Sequence, residues 1–276
     1  MSVKVVVDSS IDLPEKLIEE LDIRVVPLTV TFGDDHYLDK VEMTPEEFHE
    51  RMAKEKELPK TAQPAPGKFL EVFEELSQKG HQVLCLCLSS GLSGTYNSAR
   101  LAKSMTDADV EVVDTLSGSA GLGILSYLSA QWANLGESLQ EITQDIQSYA
   151  ENLTVYALLD TLENAVKGGR ISHLKGAIAS LLNIKIIAEV RNGKVYVLEK
   201  VRGAQRAYER LAQLVEEKTK GVQVPLVGIA HVANEKGAKL LKNVVQKVQK
   251  EAKYLECAMG ATIGTYAGPG GIVLAF

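Results

Sequence analysis

Hydrophobic and polar positions switch between a period of two and a period near four along this chain. Residues 3–7 are a nearly unbroken β-branched run, the pattern of a strand buried on both faces. The run ends at Asp8-Ser9-Ser10. Asp12 is then expected to cap a helix that carries Pro14 in its first turn and reaches about Leu21. Residues 24–32 form a second strand pattern, interrupted by Pro27. Thr44 is the expected cap of a charged helix over 45–55. Pro59, Pro64 and Pro66 make 58–67 a stiff loop. A helix over 69–79, a central strand over 82–88, a Ser/Gly loop and a helix over 95–104 follow. A short strand over 110–113 and helices over 119–135 and 139–152 complete this half, whose alternation predicts a parallel sheet covered by helices.

From residue 154 the pattern changes. A strand over 154–158 leads into a helix that ends near Lys167, where Gly168-Gly169-Arg170 breaks it. Residues 184–190 and 194–199 flank Asn192-Gly193, a pair suited to the two-residue turn of a β-hairpin. Ala204, Ala207, Tyr208, Leu211, Leu214 and Val215 recur at helical spacing. A strand over 226–231, a helix over 235–251, a strand over 254–259, a Gly/Pro loop over 264–271 and an apolar strand over 272–276 close the chain. The expected class is α/β with two domains. Residues 1–152 carry a mostly parallel sheet flanked by helices, and 153–276 a mixed sheet with helices.

Length and charge narrow the function. The chain has 276 residues, enough for two domains of roughly 150 residues each. Hydrophobic residues make up 45% and charged residues 24%, proportions of a globular protein rather than a disordered one. Thirty basic against 36 acidic residues give a net charge of −6, without the basic excess that nucleic acid demands. Cys85, Cys87 and Cys257 cannot make a disulfide framework, and Cys85 and Cys87, alternating in a buried strand, suit small hydrophobes, which points to the cytoplasm. No signal peptide is expected, because the first apolar stretch reaches Asp8 so soon. Asn183, Lys185 and Glu189 interrupt the longest apolar region, 177–190, so no membrane span is expected. His36, His49, His81, His173 and His231 share no metal-ligand spacing with one another, and no metal site is expected.

Candidate chemistry lies in polar loops beside the buried strands: Asp8-Ser9-Ser10, Thr61-Ala62-Gln63-Pro64, residues 89–96, and residues 264–271. In an open parallel sheet, ligands sit at the carboxyl ends of the strands. The loop Ser89-Ser90-Gly91-Leu92-Ser93-Gly94 precedes a helix whose free N–H groups suit an anion, and Ser93 and Thr95 add hydroxyls. The same residues equally suit a plain helix cap. No Walker loop or dinucleotide loop occurs, and Gly91-Leu92-Ser93-Gly94 is one residue short of a nucleophile elbow. Arg170, behind two glycines, can present a guanidinium to a carboxylate or phosphate, or simply be a solvated helix end. Asp8 reads as a loop-bracing carboxylate. Asp114-Thr115 and Ser117-Gly118-Ser119 are further candidates for lining the same crevice.

Taken in order, Asp8-Ser9-Ser10, Thr61-Ala62-Gln63-Pro64, Leu88 to Tyr96, Gly169-Arg170-Ile171 and Gly264-Thr265-x-x-Gly268-Pro269-Gly270 closely resemble the DegV family, over almost the whole chain. That family includes the fatty acid-binding subunits of bacterial fatty acid kinase. The resemblance implies a long acyl chain buried in the carboxyl-terminal domain, with its carboxylate at the domain junction. Thr61 and Ser93 would be its hydroxyl donors and Gly94 a backbone contact. Arg170 would stand near the head group, and Arg202 on the surface that docks an ATP-bearing kinase. Two positions depart from the pattern. Ala62 stands where the family often has Ser, and Tyr266 where it usually has His, replacing a potential cation by a neutral O–H donor. On this resemblance the protein is a non-catalytic carrier with no cofactor besides the bound lipid. Its partners would be a long-chain fatty acid, a separate kinase and, transiently, a membrane. Leu158, Leu159, Leu162, Ala165, Ile178, Leu181, Leu182, Ile186 and Ile187 are candidates to line the acyl site, or equally ordinary core. Two alternatives are a phosphotransferase or hydrolase using Ser93, and a regulatory protein-binding module.

Overall fold

The computed structural model describes residues 2–171 and 183–276. His173, Ile178, Leu181 and Leu182 lie outside the described residues. In chain order the first half comprises β1 (Val3–Asp8), α1 (Glu15–Glu20), β2 (Arg24–Val26), β3 (Thr29–Phe32), β4 (Asp35–Leu38), α2 (Pro45–Met52), β5 (Lys60–Ala62), α3 (Pro66–Gln78), β6 (Gln82–Cys87), α4 (Thr95–Lys103), β7 (Val110–Asp114), α5 (Ala120–Leu135) and α6 (Leu139–Asn152). The second half comprises β8 (Val155–Leu159), α7 (Glu163–Lys167), β9 (Ile184–Arg191), β10 (Lys194–Arg202), α8 (Ala204–Thr219), β11 (Leu226–His231), α9 (Glu235–Val245), β12 (Lys253–Ala258), α10 (Ala261–Ala267) and β13 (Ile272–Ala275).

Three sheets result, in an α/β architecture. A four-stranded sheet has the order β2-β1-β6-β7 and is parallel throughout. A six-stranded mixed sheet has the order β10-β9-β8-β13-β11-β12, in which β11 and β12 run parallel and the other pairs antiparallel. A small antiparallel sheet, β4-β3-β5, completes the set. The β9–β10 hairpin turns on Asn192 (φ 48°) and Gly193 (φ 73°), both in the left-handed region that the primed turn requires.

Helix α5 lies between the two large sheets, touching β1 and β6 on one side and β11 and β13 on the other. Its Leu122, Ile124 and Leu125 are fully buried, and one apolar core runs from Val5 and Val7 through them to Val155, Leu159 and Val273. The opposite face of the mixed sheet presents Tyr156, Leu158, Ile187 and Leu274 to Leu211 and Val215 of α8 and Leu241 and Val245 of α9. On the far face of the parallel sheet, Val6, Cys85 and Cys87 pack with Phe69 and Phe73 of α3. The Cys85 and Cys87 sulfurs are 3.7 Å apart and fully buried. Hydrogen bonding from Cys85, then burial, raises the Cys87 pKa, and burial raises that of Cys257. Among the described residues, no helix is long and apolar enough to cross a membrane, and no three His, Cys, Asp or Glu side chains gather as a metal cluster.

Several local expectations are corrected. Asp12 does not cap α1, whose N-cap is Pro14 without a side-chain bond. Instead Asp12 accepts from Ser119 Oγ at 2.6 Å, Lys40 Nζ at 3.0 Å and the Gly260 N–H at 2.9 Å. Residues 24–32 are two strands in different sheets, because Pro27 supplies no N–H to continue one ladder. Thr61 belongs to a strand, opposite Val30 of β3, rather than to a loop. Helix α9 stops at Val245, six residues early. Beyond it the buried Gln249 side chain ties down Thr219, Val222 and Val224. Residues 264–267, expected within a Gly/Pro loop, instead belong to helix α10 (Ala261–Ala267).

Candidate functional site

A slender apolar cavity opens where the carboxyl ends of β1 and β6 meet the mixed sheet. It holds about 820 Å³ of atom-free space, mouth included. Val155, Ala157 and Leu159 of β8, Val190 of β9, Val195 of β10 and Val273 of β13 form one wall, all from a single face of the sheet. Leu28, Leu88, Leu92, Gly118, Ala165, Ile171, Ile263 and Ala267 form the rest of its apolar lining. Strand alternation sorts the acyl-site candidates. Leu159 and Ala165 line the cavity, while Leu158 and Ile187 point to the opposite face, against α8 and α9. Leu162 and Ile186 are buried in the core without lining it.

Polar groups share this lining. Thr61, Ser93, Arg170 and Tyr266 all line the cavity. Thr61 Oγ1 and the Tyr266 hydroxyl are hydrogen-bonded at 2.7 Å, joining β5 to α10. The Arg170 guanidinium lies 4.4 Å over the Tyr266 ring. It is oriented by donating from Nη1 to the Gly168 carbonyl at 2.7 Å and from Nε to the Leu92 carbonyl at 3.3 Å. Its Nη2 has no partner among the described residues, so both N–H donors of that nitrogen remain for a ligand. Ser93 Oγ bonds the Thr95 hydroxyl at 2.9 Å and accepts from the Thr95 N–H, and neither an imidazole nor a carboxylate bonds it among the described residues. Gly94 abuts the cavity as the N-cap of α4 without lining it. A Cβ there would overlap the Gln63 amide, which donates to Ser98 at 2.9 Å, so a larger residue at 94 would displace that side chain. Arg202 is exposed at the end of β10 and does not line the cavity.

Ser119 and Thr262 line the cavity as well, and the sequence pointed to them only in part. Ser117-Gly118-Ser119 stands out for its small residues, and Gly118 and Ser119 indeed line the cavity. Thr262 carries no local signal, because its position depends on α10 reaching the parallel sheet. Both hydroxyls are committed: Ser119 donates to Asp12, and Thr262 donates to Asp39 at 2.5 Å. Asp114 and Thr115 do not line the cavity. Asp114 accepts from the Ser90 and Leu116 N–H groups, and Thr115 donates to the Cys87 carbonyl.

Buried carboxylates hold this junction together. Asp39 accepts from the Ala261 and Thr262 N–H groups, each at 3.0 Å, and from Ser9 Oγ at 3.1 Å. Asp8 accepts from the Ser10 and Leu88 N–H groups and braces the two loops behind the site, as its sequence position suggests. Burial raises the pKa of both carboxyls above the ordinary range. Burial opposes the charge of Lys40, yet Asp12 and Asp39 outweigh it and leave the ammonium pKa raised. His49 closes the same seam: its Nε2 donates to the Met259 carbonyl at 2.8 Å and its Nδ1 accepts from the Ala233 N–H at 3.2 Å.

Comparison with known proteins agrees with this architecture. The profile described as "Uncharacterised protein, DegV family" matches residues 2–276. A DegV domain-containing protein of Clostridium acetobutylicum is 32% identical over 96% of this chain and 95% of its own. Among solved structures, a DegV family protein of Thermus thermophilus, described for its fatty acid binding, superposes with a TM-score of 0.92 at 30% identity, covering 100% of this chain and 99% of that one. A DegV lipid binding protein of Thermotoga maritima superposes with a TM-score of 0.88 at 31% identity, covering 100% and 98%. This chain, matched along nearly its entire length in sequence and in fold, belongs to the DegV family.

Proposed function

We propose that this protein binds one long-chain fatty acid and holds it without chemical change. The tail lies along the apolar wall, and the carboxylate meets Thr61, Ser93, the Gly94 N–H, Tyr266 and Arg170. One observation carries the reading: an apolar cavity ends at hydroxyls and guanidinium N–H groups and has no acid–base pair beside them among the described residues. A carboxylate stripped of water needs such donors. The two solved relatives, one described for fatty acid binding and one for lipid binding, support it. Burying ~14 methylenes at about 0.8 kcal/mol each contributes roughly 11 kcal/mol, enough for tight binding after ordering costs. In this reading the carboxylate, held at the junction of an amino-terminal domain (1–152) and a carboxyl-terminal one (153–276), is presented to a separate ATP-bearing kinase. The exposed Arg202 belongs to the docking surface.

Mass spectrometry of protein extracted under denaturing conditions is expected to recover a long-chain acid. Removing two donors to a charged group by Thr61→Ala with Ser93→Ala costs about 3 kcal/mol or more, so the Kd for labelled palmitate rises roughly a hundredfold. Unchanged retention in that double variant refutes the head-group assignment. Ligand-free protein that also takes up no palmitate refutes the function.

A further inference from the structure

Two adjacent glycines precede Arg170, and they are glycine for different reasons. Gly169 has φ 75°, in the left-handed region, where the chain turns out of α7. Gly168 is the C-cap of α7 with φ −75° and ψ −8°, ordinary right-handed backbone that side chains tolerate. What a side chain at 168 would meet is the ring of Tyr266. A Cβ there would overlap Cδ1 and Cε1 along one edge of that ring, far inside the distance of about 3.5–4.0 Å at which carbon atoms rest.

The ring is bounded on two further sides. The Arg170 guanidinium lies over its face at 4.4 Å, and its hydroxyl meets Thr61 Oγ1 at 2.7 Å. Neither Thr61 nor the Tyr266 backbone is free to follow a displaced ring. Thr61 is held opposite Val30 in the β3–β5 ladder. Helix α10 is tied at its amino end to Asp39, and next to Tyr266 by Asn164 Nδ2, which donates to the Thr265 carbonyl at 2.9 Å. The Gly168 carbonyl meanwhile accepts from Arg170 Nη1 at 2.7 Å. One residue thus seats the ring with its bare Cα and anchors the guanidinium with its oxygen. In the Thr61–Tyr266 pair one O–H is spent on the other oxygen, so a single hydroxyl proton is left for a ligand, and its direction follows the ring.

We propose that Gly168 is a positioning residue of the head-group site: its missing side chain sets the Tyr266 ring where the Thr61–Tyr266 hydroxyl pair donates to the carboxylate. The inference rests on the fatty acid-binding reading above. Gly168→Ala keeps the backbone conformation and the carbonyl that holds Arg170, and adds only the carbon that pushes the ring away.

The test measures Kd for labelled palmitate and for its methyl ester in the full-length protein, with circular dichroism to confirm the fold. Gly168→Ala is expected to raise the palmitate Kd about tenfold, as loss of one hydrogen bond to a charged group does, and to change the ester Kd less than about threefold. In a Tyr266→Ala background, which removes the ring, adding Gly168→Ala is expected to change the palmitate Kd by less than about twofold. An unchanged palmitate Kd in Gly168→Ala, an equal loss for acid and ester, or a loss that persists without the ring overturns the seat and leaves the binding function standing. Should Gly168→Ala alone fail to fold, recovery of the fold in the double variant supports the seat, and failure there overturns it. Wild type that binds no palmitate overturns the fatty acid-binding reading and this assignment with it.

Discussion

Tyr266 shows how one side chain sets the charge of the site. Its hydroxyl bonds Thr61, and its ring carries the Arg170 guanidinium at 4.4 Å, so the positive charge at the polar end belongs to arginine rather than to this position. A histidine placed here would stand beneath that guanidinium, which disfavours the imidazolium. In Tyr266→His, NMR titration of the new imidazole is expected to give a pKa below its ordinary value of about 6.5. A value above 6.5 would mean that another group dominates the electrostatics. At this scale the sequence was informative wherever a role is local. Thr44 caps α2 as expected, in a capping box with Glu47, and Asp8 braces its own loop. It misled at Asp12, whose partners Lys40, Ser119 and Gly260 are all distant in sequence, and it gave no sign of Thr262.

Elements were legible in proportion to how far their own residues decide them. Helix α6 and strand β11 occupy the expected residues, since periodicity and caps fix both, and the β9–β10 hairpin turns where Asn192-Gly193 demands. Strand β5 and helix α10 were not legible, because one exists through pairing with β3 and the other through Asp39 at its amino end. The seam between α2 and the loops around Ala233 and Met259 makes stability depend on pH. Both His49 nitrogens are committed in the neutral form, and burial lowers the His49 and His231 pKa values below the ordinary 6.5. The unfolded chain takes up protons at about pH 6.5, before the native protein does, so stability is lost as pH falls through and below that value. Asp8 and Asp39, raised by burial, titrate with the opposite sign in any variant. The fall in Tm between about pH 7 and pH 5 is therefore expected to be smaller in His49→Gln with His231→Gln than in wild type. Equal falls would remove these imidazoles from the account.

Across the whole molecule, α5 makes the two large sheets share one core, and buried carboxylates tie the amino end of α10 to the parallel sheet. Separate unfolding of the two halves would expose that core and strand those charges. Urea unfolding is accordingly expected to be one transition, with coincident curves from far-UV circular dichroism and from fluorescence of Trp132, the single tryptophan. If the proposed function holds, palmitate is expected to move both curves together to higher urea, because a ligand of the folded cavity stabilises only the native state. Two resolved transitions would contradict a shared core. The buried thiols carry a practical consequence for such experiments. Cys85 and Cys87 are sealed inside the parallel sheet, and burial raises the pKa of the half-buried Cys257 thiol, which disfavours its thiolate. A single cysteine installed at a site as open as Leu135, which is 78% exposed, is therefore expected to label with maleimide dyes well ahead of the natural sulfurs.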